Sequence, residues 1–345
     1  MSQGFTYKQA GVDIATADAT KREMAKSLET ADARVLNRLG AFATLFDARF
    51  PGYRHPVLVL KSEEPGSKQK LALQHGRVES ICQDLVNHLI NDIIVMGAAP
   101  LSVQDVIVCG KLEKEVVSRL VAGMARACRD QDCTLTGGET SEQPGVVPAG
   151  TYILTASLVG VVEKDLIVDG ARIREGDQVL ALASNGLHTN GYSLVRALME
   201  KKPEIRAQQV EGESFLDAIL RPHRCYFQAL RGLFTHPGLH GMAHITGGGI
   251  GGNLNRVLPQ GLGARIELEH LEVLPLFRLI REMGQVPDED LLRTFNLGAG
   301  MTLVVAPEAA GEICRHLEAQ GCRAYPMGTI AKGEQQVEYV GGVKW

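Results

Sequence analysis

Residues 62–68, SEEPGSK, have the residue types of a phosphate-binding loop and follow a run of strand formers, PVLVL. A glycine lets the backbone approach a phosphate, a serine hydroxyl can serve a metal ion or a phosphate oxygen, and a lysine can neutralise charge. The candidate nucleotide-binding residues here are Glu63, Gly66, Ser67 and Lys68. The residue order of a Walker loop is absent, so this segment alone favours a solvated turn.

Two adjacent carboxylates, Glu63 and Glu64, stand where an anionic ligand would have to approach this segment. Either a metal ion lies between them and the phosphates, or the segment does not bind a nucleotide. Mg²⁺ prefers oxygen ligands and is usually shared between a few carboxylates and nucleotide phosphates. The acidic residues that could form such a site are Glu63, Asp84, Asp92, Asp105 and Glu139. Each of them alone is more often a cap, a turn residue or a half-exposed strand residue.

Two glycine-rich segments could present successive backbone N–H groups to an anion: TGGETSEQPG at 136–145 and HITGGGIGG at 244–252. A helix that follows the second segment would add its dipole. A tight bend that packs neighbouring elements together explains either segment equally well.

The segment HTNGYSL offers His188 as a phosphate donor or as an acid or base, with Asn190 and Ser193 near a helix start. Its alternative is an Asn-Gly turn with Ser193 as the helix cap. Residues 293–301, RTFNLGAGM, either hold a phosphate or brace a dimer core. A serine hydrolase is not indicated, because no G-x-S-x-G elbow is present.

Hydrophobic periodicity predicts the elements that must position these residues. A helix is expected over 80–97, ending near Gly97, and an amphipathic helix over 114–129. Further helices should begin near Tyr192, follow the second glycine segment and cover 308–321. Strands are predicted at 57–60, 101–108, 134–136 (leading into a glycine turn), 151–162, 178–184, 241–245, 263–273 and 298–306, with a final strand pair after the last helix.

The composition is that of a globular protein with two domains: 345 residues, 45% hydrophobic and 22% charged. The net charge of −4 gives no electrostatic reason to expect nucleic acid or a membrane surface as a partner. The seven cysteines are scattered without a C-x-x-C pair, which predicts reduced thiols in the cytoplasm. The polar segment 163–178 predicts a domain boundary, with domains at 1–168 and 169–345.

Motifs along nearly the whole chain resemble those of the aminoimidazole ribonucleotide synthetase (phosphoribosylformylglycinamidine cyclo-ligase) family. They run from YKQAGVDI at 7–14 through GKLE, TGGETSEQPG, VGVVEK, HTNGYSLVR and HITGGG to RTFNLGAGM. The resemblance implies an α/β (α+β) subunit of two domains, in which the N-terminal halves of a homodimer pair into a β-barrel and the C-terminal domain is α/β. It also implies an enzyme that uses ATP to activate the formyl oxygen of formylglycinamidine ribonucleotide and then closes an imidazole ring.

The resemblance also implies functional roles for particular residues. It implies catalytic roles for Lys68, His188 and His244. Mg²⁺ would be held by Glu63, Asp92, Asp105 and Glu139. ATP and the ribonucleotide substrate would be bound by Glu63, Gly66, Ser67, Lys68, Gly137, Gly138, Asn190, Ser193, Thr246, Gly247 and Gly248.

Departures from the family pattern concentrate in the first segment, where the family has T-D-G-V-G-T-K. Glu63 keeps a carboxylate but is one methylene longer, Glu64 replaces a glycine, and Pro65 removes a backbone donor. Lys61 also replaces a glycine, and Val106 stands where a tyrosine is usual. Three hypotheses follow: the cyclo-ligase itself, a paralogue that acts on another amide or amidine, and a catalytically silent dimeric partner.

Overall fold

The computed structural model describes residues 14–28, 32–37 and 41–345. Residues 7–13 of the first family motif and residues 38–40 lie outside the described part. The chain divides into two compact units: the first comprises Met1–Ile90 and Pro100–Val161, and the second comprises Asn91–Ala99 and Val162–Trp345. The boundary at 168/169 stays a prediction. No helix in the described ranges is long and apolar enough to cross a membrane.

The first unit contains a four-stranded sheet with the strand order β1-β4-β2-β3. Its strands are β1 (Pro56–Glu63), β2 (Ala99–Cys109), β3 (Thr134–Glu142) and β4 (Tyr152–Glu163). Its helices are α1 (Ile14–Leu28), α2 (Lys68–Gln74), α3 (Val78–Ile94) and α4 (Lys114–Arg129), the last residues of α3 being grouped with the second unit. Strands β2 and β3 are parallel and are joined by α4, as a βαβ unit requires.

The segment TGGET does not form the predicted glycine turn. Gly137 and Gly138 lie inside strand β3, opposite Gln104 and Asp105, and the register between β2 and β3 shifts just before this pair. A Cβ atom on Gly138 would lie 2.2 Å from the backbone oxygen of Asp105. Gly138 is therefore needed because the two strands approach each other closely here. In a sequence, a glycine pair can indicate either a turn or such a close approach.

The second unit contains a six-stranded sheet with the strand order β12-β9-β11-β5-β10-β8 and a two-stranded sheet, β6-β7. Its strands are β5 (Gln178–Ala183), β6 (Gln209–Val210), β7 (Glu213–Ser214), β8 (Leu239–His244), β9 (Leu262–Glu267), β10 (Ala299–Val305), β11 (Ala324–Lys332) and β12 (Val337–Val340). Its helices are α5 (Tyr192–Lys201), α6 (Phe215–Ile219), α7 (Phe227–Leu230), α8 (Gly249–Leu254), α9 (Pro275–Gly284), α10 (Asp288–Thr294) and α11 (Ala310–Ala319).

The core of the second unit lies around β10, which pairs antiparallel with both β5 and β8. Every residue of β8 and of β10 is buried. Strands buried on both faces read as continuous apolar runs, and this is why GMAHI and GAGMTLVVA could be assigned from the sequence. The ends of β5 and β8 and the start of β10 carry the segments HTNGYSL, HITGGG and RTFNLGAG.

A fully buried ion pair joins α2 to α3 in the first unit. Lys68 Nζ lies 2.7 Å from Asp84 Oδ1, and neither side chain is exposed. Burial lowers the pKa of the Lys68 ammonium, and the Asp84 carboxylate opposes that shift. The pair therefore fixes the first residue of α2 against the middle of α3, at the cost of removing two charges from water.

We expect Lys68→Ala to lower the free energy of unfolding by about 3–5 kcal/mol, because it leaves the Asp84 carboxylate buried without its cation. Replacing both partners, as Lys68→Met with Asp84→Leu, should restore most of that loss. Urea unfolding measures both effects. Lys70→Ala, at an exposed position of the same helix, is the matched control and should change stability by no more than about 0.5 kcal/mol. Equal losses in the two alanine variants would contradict a stabilising role for the pair.

Candidate functional site

The loop within SEEPGSK, residues 62–68, is shorter than predicted. Ser62 and Glu63 belong to strand β1 and Lys68 begins α2, so the loop proper is EPGS at 64–67. Alternating burial continues through Glu63, which extends the strand beyond its apolar part. Gly66 has a φ of 60°, and Ser67 caps α2 without a side-chain hydrogen bond.

Glu63 is already engaged within the first unit. Its Oε2 lies 3.0 Å from Lys61 Nζ, and its Oε1 accepts a hydrogen bond from the backbone N–H of Glu64. Lys61 and Glu63 are two residues apart on a strand and therefore share one face. Glu64 is exposed and Pro65 is buried. Two residues that depart from the family pattern, Lys61 and Glu63, thus pair with one another.

The structure places Lys68 in the buried pair with Asp84 rather than on a ligand-facing surface. Its predicted role in catalysis and nucleotide binding stays a prediction.

The parallel pairing of β2 with β3 sets Asp105 opposite Gly138, and Glu139 opposite Val106. Asp105 faces Gly138 across the two strands and is only 4% exposed. A Cβ atom on Gly138 would lie 2.3 Å from Asp105 Oδ1, so the glycine gives this carboxylate its room. Burial raises the pKa of Asp105 to about 7, and the negative charge of Glu139 adds to the shift. Because successive strand residues face opposite sides of a sheet, the exposed side chain of Glu139 lies on the other face from the buried Asp105. Ligation of one Mg²⁺ by both carboxylates stays a prediction.

In the second unit, Asp92 and His244 form a hydrogen-bonded pair. His244 ends strand β8, and its Nδ1 lies 2.7 Å from Asp92 Oδ1. The carboxylate orients the imidazole and selects the tautomer that carries a proton on Nδ1, leaving Nε2 to face the interior. Asp92 was predicted as a metal ligand and His244 as a catalytic residue, and the structure shows them in contact.

A histidine that the sequence analysis missed, His223, lies between His188 and His244. Its Nε2 is 3.1 Å from His244 Nε2, and its ring stacks on that of His188 with centroids 4.0 Å apart. His223 follows a proline between α6 and α7, in RPHRCY, and no periodicity or glycine pattern marks it. Only the spatial proximity of three separate segments identifies this residue.

His188 has a φ of 59°, in the left-handed region that residues other than glycine rarely adopt. Such a conformation costs about 1–3 kcal/mol and persists only where surrounding structure enforces it. Here the ring is 2% exposed and stacked on His223. The backbone of HTNGYSL therefore directs this side chain inward.

Helix α5 begins at Tyr192, as predicted, but its cap is Gly191 rather than Ser193. Gly191 has a φ of 79°, and a Cβ atom there would lie 2.0 Å from Cε1 of Phe295. Ser193 is exposed in the first turn, and Asn190 is half-buried. The predicted alternative of a serine cap is therefore wrong, because the left-handed glycine already occupies the cap position.

The segment RTFNLGAGM braces loops of the second unit. Phe295 and Asn296 are buried. Asn296 accepts hydrogen bonds from Ser184 Oγ and the N–H of Gly298, and it donates to the carbonyl of Gly186. Arg293 is exposed and paired with Glu289. The buried residues thus hold β5, β10 and the HTNGYSL segment together.

The glycine segment after β8 is held by Asn253. The Asn253 amide donates to the carbonyl of Gly249 at 2.8 Å and accepts from Thr246 Oγ1 at 3.1 Å. Gly247 and Gly248 are exposed at the start of α8, and Gly248 has a φ of 99°. The N–H groups of Gly248 and Gly249 donate to the carbonyls of Arg293 and Thr246 at 3.0 and 3.1 Å. Anion binding by this segment therefore stays a prediction.

Comparison with known proteins identifies the class of protein to which the chain belongs. Residues 57–162 match the family described as "AIR synthase related protein, N-terminal domain", and residues 174–341 match its C-terminal domain. Solved structures of similar fold include thiamine-monophosphate kinase from Stenotrophomonas maltophilia, with TM-score 0.65, 16% identity and coverage of 96% of this chain and 97% of that one. Hydrogenase maturation protein HypE in complex with ATP has TM-score 0.64, 16% identity, and coverage of 98% and 92%.

Curated relatives identify the family within that class. The phosphoribosylformylglycinamidine cyclo-ligase of Aromatoleum aromaticum is 43% identical over 94% of each chain. Those of Cupriavidus pinatubonensis and Methylobacillus flagellatus are 42% and 40% identical over 97% or more of each chain. The chain belongs to the phosphoribosylformylglycinamidine cyclo-ligase family, and the family resemblance found in its motifs is confirmed.

We expect the stability of the metal-free protein to fall as the pH rises from about 4 to about 7. In this range an unfolded chain loses the Asp105 proton near the ordinary pKa of 3.8, whereas the folded protein holds it until about pH 7. Asp105→Asn should remove this loss and be the more stable protein at pH 8, by at most about 4 kcal/mol. Urea unfolding between pH 4 and pH 8 tests it.

The matched control for this series is Asp130→Asn, at the exposed end of α4. Its profile should follow that of the unmodified protein. A constant stability difference between Asp105→Asn and the unmodified protein at every pH would contradict the raised pKa.

Proposed function

We propose that this protein is an ATP-dependent cyclo-ligase that converts formylglycinamidine ribonucleotide to aminoimidazole ribonucleotide in de novo purine biosynthesis. The supporting observation is 40–43% identity to phosphoribosylformylglycinamidine cyclo-ligases over at least 94% of this chain and of theirs. Free cysteines throughout the chain accord with a cytoplasmic location, which belongs to the same proposal.

Ring closure requires the formyl oxygen to become a leaving group, and ATP supplies the phosphoryl group for this. The amidine-side nitrogen then forms the new C–N bond as phosphate departs. The task of the protein is to position the reactants and neutralise charge, since such chemistry needs no protein nucleophile. His188 and His244 are the proposed acid–base or phosphate-donating groups, and Asp92 orients His244. Asn190, Ser193, Thr246, Gly247 and Gly248 complete the proposed substrate-side set.

Mg²⁺ fits the donor set of the first unit. Asp105 is a buried carboxyl whose pKa is raised by burial and by Glu139. A divalent cation would favour its charged form. Gly138 allows the strand backbone to come close to that carboxyl, and Gly137 is the second proposed glycine of the site. Glu63 is a further proposed ligand in this unit, and Mg²⁺ would have to displace Lys61 from it. The metal-binding role predicted for Asp92, which belongs to the second unit, stays a prediction.

A homodimer formed through the four-stranded sheet is part of the proposal. Large apolar side chains of β1, β2 and β4 are exposed: Leu58, Leu60, Val106 and Ile153, at 53%, 71%, 38% and 38%. Ser62 Oγ lies 2.8 Å from Ser157 Oγ, which places the alternating exposed residues of β1 and β4 on one face. An apolar face of this kind marks an interaction surface. A second copy would cover it isologously and give the barrel implied by the family.

A second candidate, the catalytically silent partner, is favoured by one observation. Glu63 is paired with Lys61, and an exposed carboxylate, Glu64, follows it. If these residues exclude the nucleotide, the fold and the dimer persist without activity.

The decisive experiment is turnover of formylglycinamidine ribonucleotide by the purified protein with Mg²⁺ and ATP, together with calorimetric titration of ATP. We expect turnover and Mg²⁺-dependent binding. Glu64→Gly should bind ATP about 5-fold or more tightly than the unmodified protein, because about 1–4 kcal/mol of carboxylate–phosphate repulsion is removed.

Glu64→Gln is the matched control for the loop variant, since it removes the charge and keeps the backbone restricted. A gain of affinity in both variants assigns the effect to charge. Weaker ATP binding in both would instead make Glu64 a metal ligand. A folded dimer that binds no ATP and shows no turnover would contradict the cyclo-ligase and favour the silent partner.

We expect Leu60→Asp to convert a dimer to a monomer in sedimentation velocity, because it places a charge in the centre of the proposed interface. Leu166→Asp, at another exposed apolar position (44%), should leave the dimer intact. A dimer that survives Leu60→Asp at micromolar concentration would rule out this face of the sheet.

A further inference from the structure

Three histidines from separate segments converge inside the second unit. They are His188, which follows β5, His223, which precedes α7, and His244, which ends β8. One ring nitrogen of each can be chosen so that all three lie within 4.8 Å of one another. Their exposed fractions are 2%, 1% and 6%. Three buried imidazoles at one point form the donor set of an open zinc site.

Asn91 fixes the proton positions of His223. The Asn91 amide accepts from the backbone N–H of Tyr226 through Oδ1 and donates to the carbonyl of Arg224 through Nδ2. These two contacts define the amide orientation, and its Nδ2, 3.2 Å from His223 Nε2, can only donate. The Nε2 of His223 therefore carries a lone pair, and its Nδ1 carries the proton.

Asp92 likewise fixes the tautomer of His244, because its carboxylate accepts a hydrogen bond from the Nδ1–H of His244. The Nε2 atoms of His223 and His244 then face one another at 3.1 Å. Two lone pairs at this distance repel unless a proton or a metal ion lies between them. Two ligands of a tetrahedral zinc ion, each about 2.0–2.1 Å from the metal, are themselves about 3.3 Å apart.

We propose that His188, His223 and His244 form a Zn²⁺-binding site in the protein without substrate. Bound Zn²⁺ would occupy ring nitrogens that the proposed function assigns to His188 and His244, so it would compete with turnover. Imidazole nitrogen suits zinc, whereas Mg²⁺ selects oxygen ligands. The fourth coordination position is left for water or for an oxygen of a bound ligand, as in other three-histidine zinc sites.

Two of the three histidines already contact a second residue that could hold the ring in position when a metal is bound. Metal-bound histidines characteristically donate the second ring N–H to a carboxylate, a backbone carbonyl or water, which holds the ring in position. His244 has Asp92 at 2.7 Å, and His223 Nδ1 has Thr189 Oγ1 at 3.4 Å. The long contact from Asn91 to His223 would give way to the metal, and Asn91 would keep both backbone hydrogen bonds.

His188 is the ligand that must move. Its ring stacks on His223 with an interplanar angle of 19°, so its nitrogens do not yet point at the gap between the other two. The proposed site requires this ring to rotate so that one of its nitrogens points at the other two ligands. Gly300 leaves room for this ring, because a Cβ atom there would lie 2.5 Å from His188 Cε1.

The test uses full-length, tag-free protein stripped of metal. Zn²⁺ is titrated by calorimetry, and Co²⁺ is added as a visible spectroscopic substitute. We expect one ion per chain, displacement of Co²⁺ by Zn²⁺, and the intense visible absorption of four-coordinate Co²⁺. His223→Asn should weaken Zn²⁺ binding at least about 100-fold, and Asp92→Asn by about 10–100-fold, as for loss of an outer partner.

The matched control is His240→Asn, because His240 is buried and paired with a carboxylate, Asp177, at the same 2.7 Å but lies outside the cluster. It should bind Zn²⁺ as the unmodified protein does. The proposal is overturned if no stoichiometric Zn²⁺ binds, if His223→Asn binds equally well, or if His240→Asn loses as much affinity. None of these measurements uses ATP or turnover, so a protein that does not bind Zn²⁺ does not contradict the proposed cyclo-ligase activity. Conversely, an inactive protein that binds Zn²⁺ does not contradict the zinc site.

Discussion

The buried ion pair between Lys68 and Asp84 determines how the phosphate-loop segment can be used. Both charges lie fully inside the first unit, 2.7 Å apart. Because separating them would leave an uncompensated charge in the interior, the first residue of α2 cannot move far from α3. The loop at 64–67 is thus held between the end of β1 and a fixed helix start. The loop can offer its backbone and Ser67 to a ligand, and the role predicted for Lys68 requires it to act from within this pair.

The same helix, α3, carries the side chains that organise the histidines. Asn91 fixes the tautomer of His223, and Asp92 fixes that of His244. Buried polar groups must be satisfied, so each of these contacts restricts rotation as well as position. Precise orientation of two imidazoles therefore follows from two adjacent residues near the end of one helix.

Regular elements were predictable where one periodicity extends over many residues. Helix α4 has the predicted bounds and α5 the predicted start. The helices that were not predicted are α1, α2, α6, α7, α9 and α10. Helices α2, α6, α7 and α10 are short, whereas α9 was missed although its buried residues Leu276, Phe277 and Ile280 recur at helical spacing. The pair Gly137–Gly138 was assigned to a turn, since a sequence does not distinguish a turn from close strand approach. His223 was missed because its partners are distant along the chain: His244 follows 21 residues later and Asn91 precedes it by 132.

The charges of the altered loop change nucleotide affinity more readily than they abolish it. Lys61 and Glu63 are 34% and 25% exposed, and partly exposed pairs of this kind contribute about 0–1 kcal/mol, so a divalent cation can displace the lysine. Glu64 is exposed, which keeps its repulsion of a phosphate near the low end of the range for surface charges. Pro65 removes a donor only if that backbone position contacts phosphate. Asp105, whose buried charge a cation would stabilise, remains in place. This balance favours the cyclo-ligase over the silent partner.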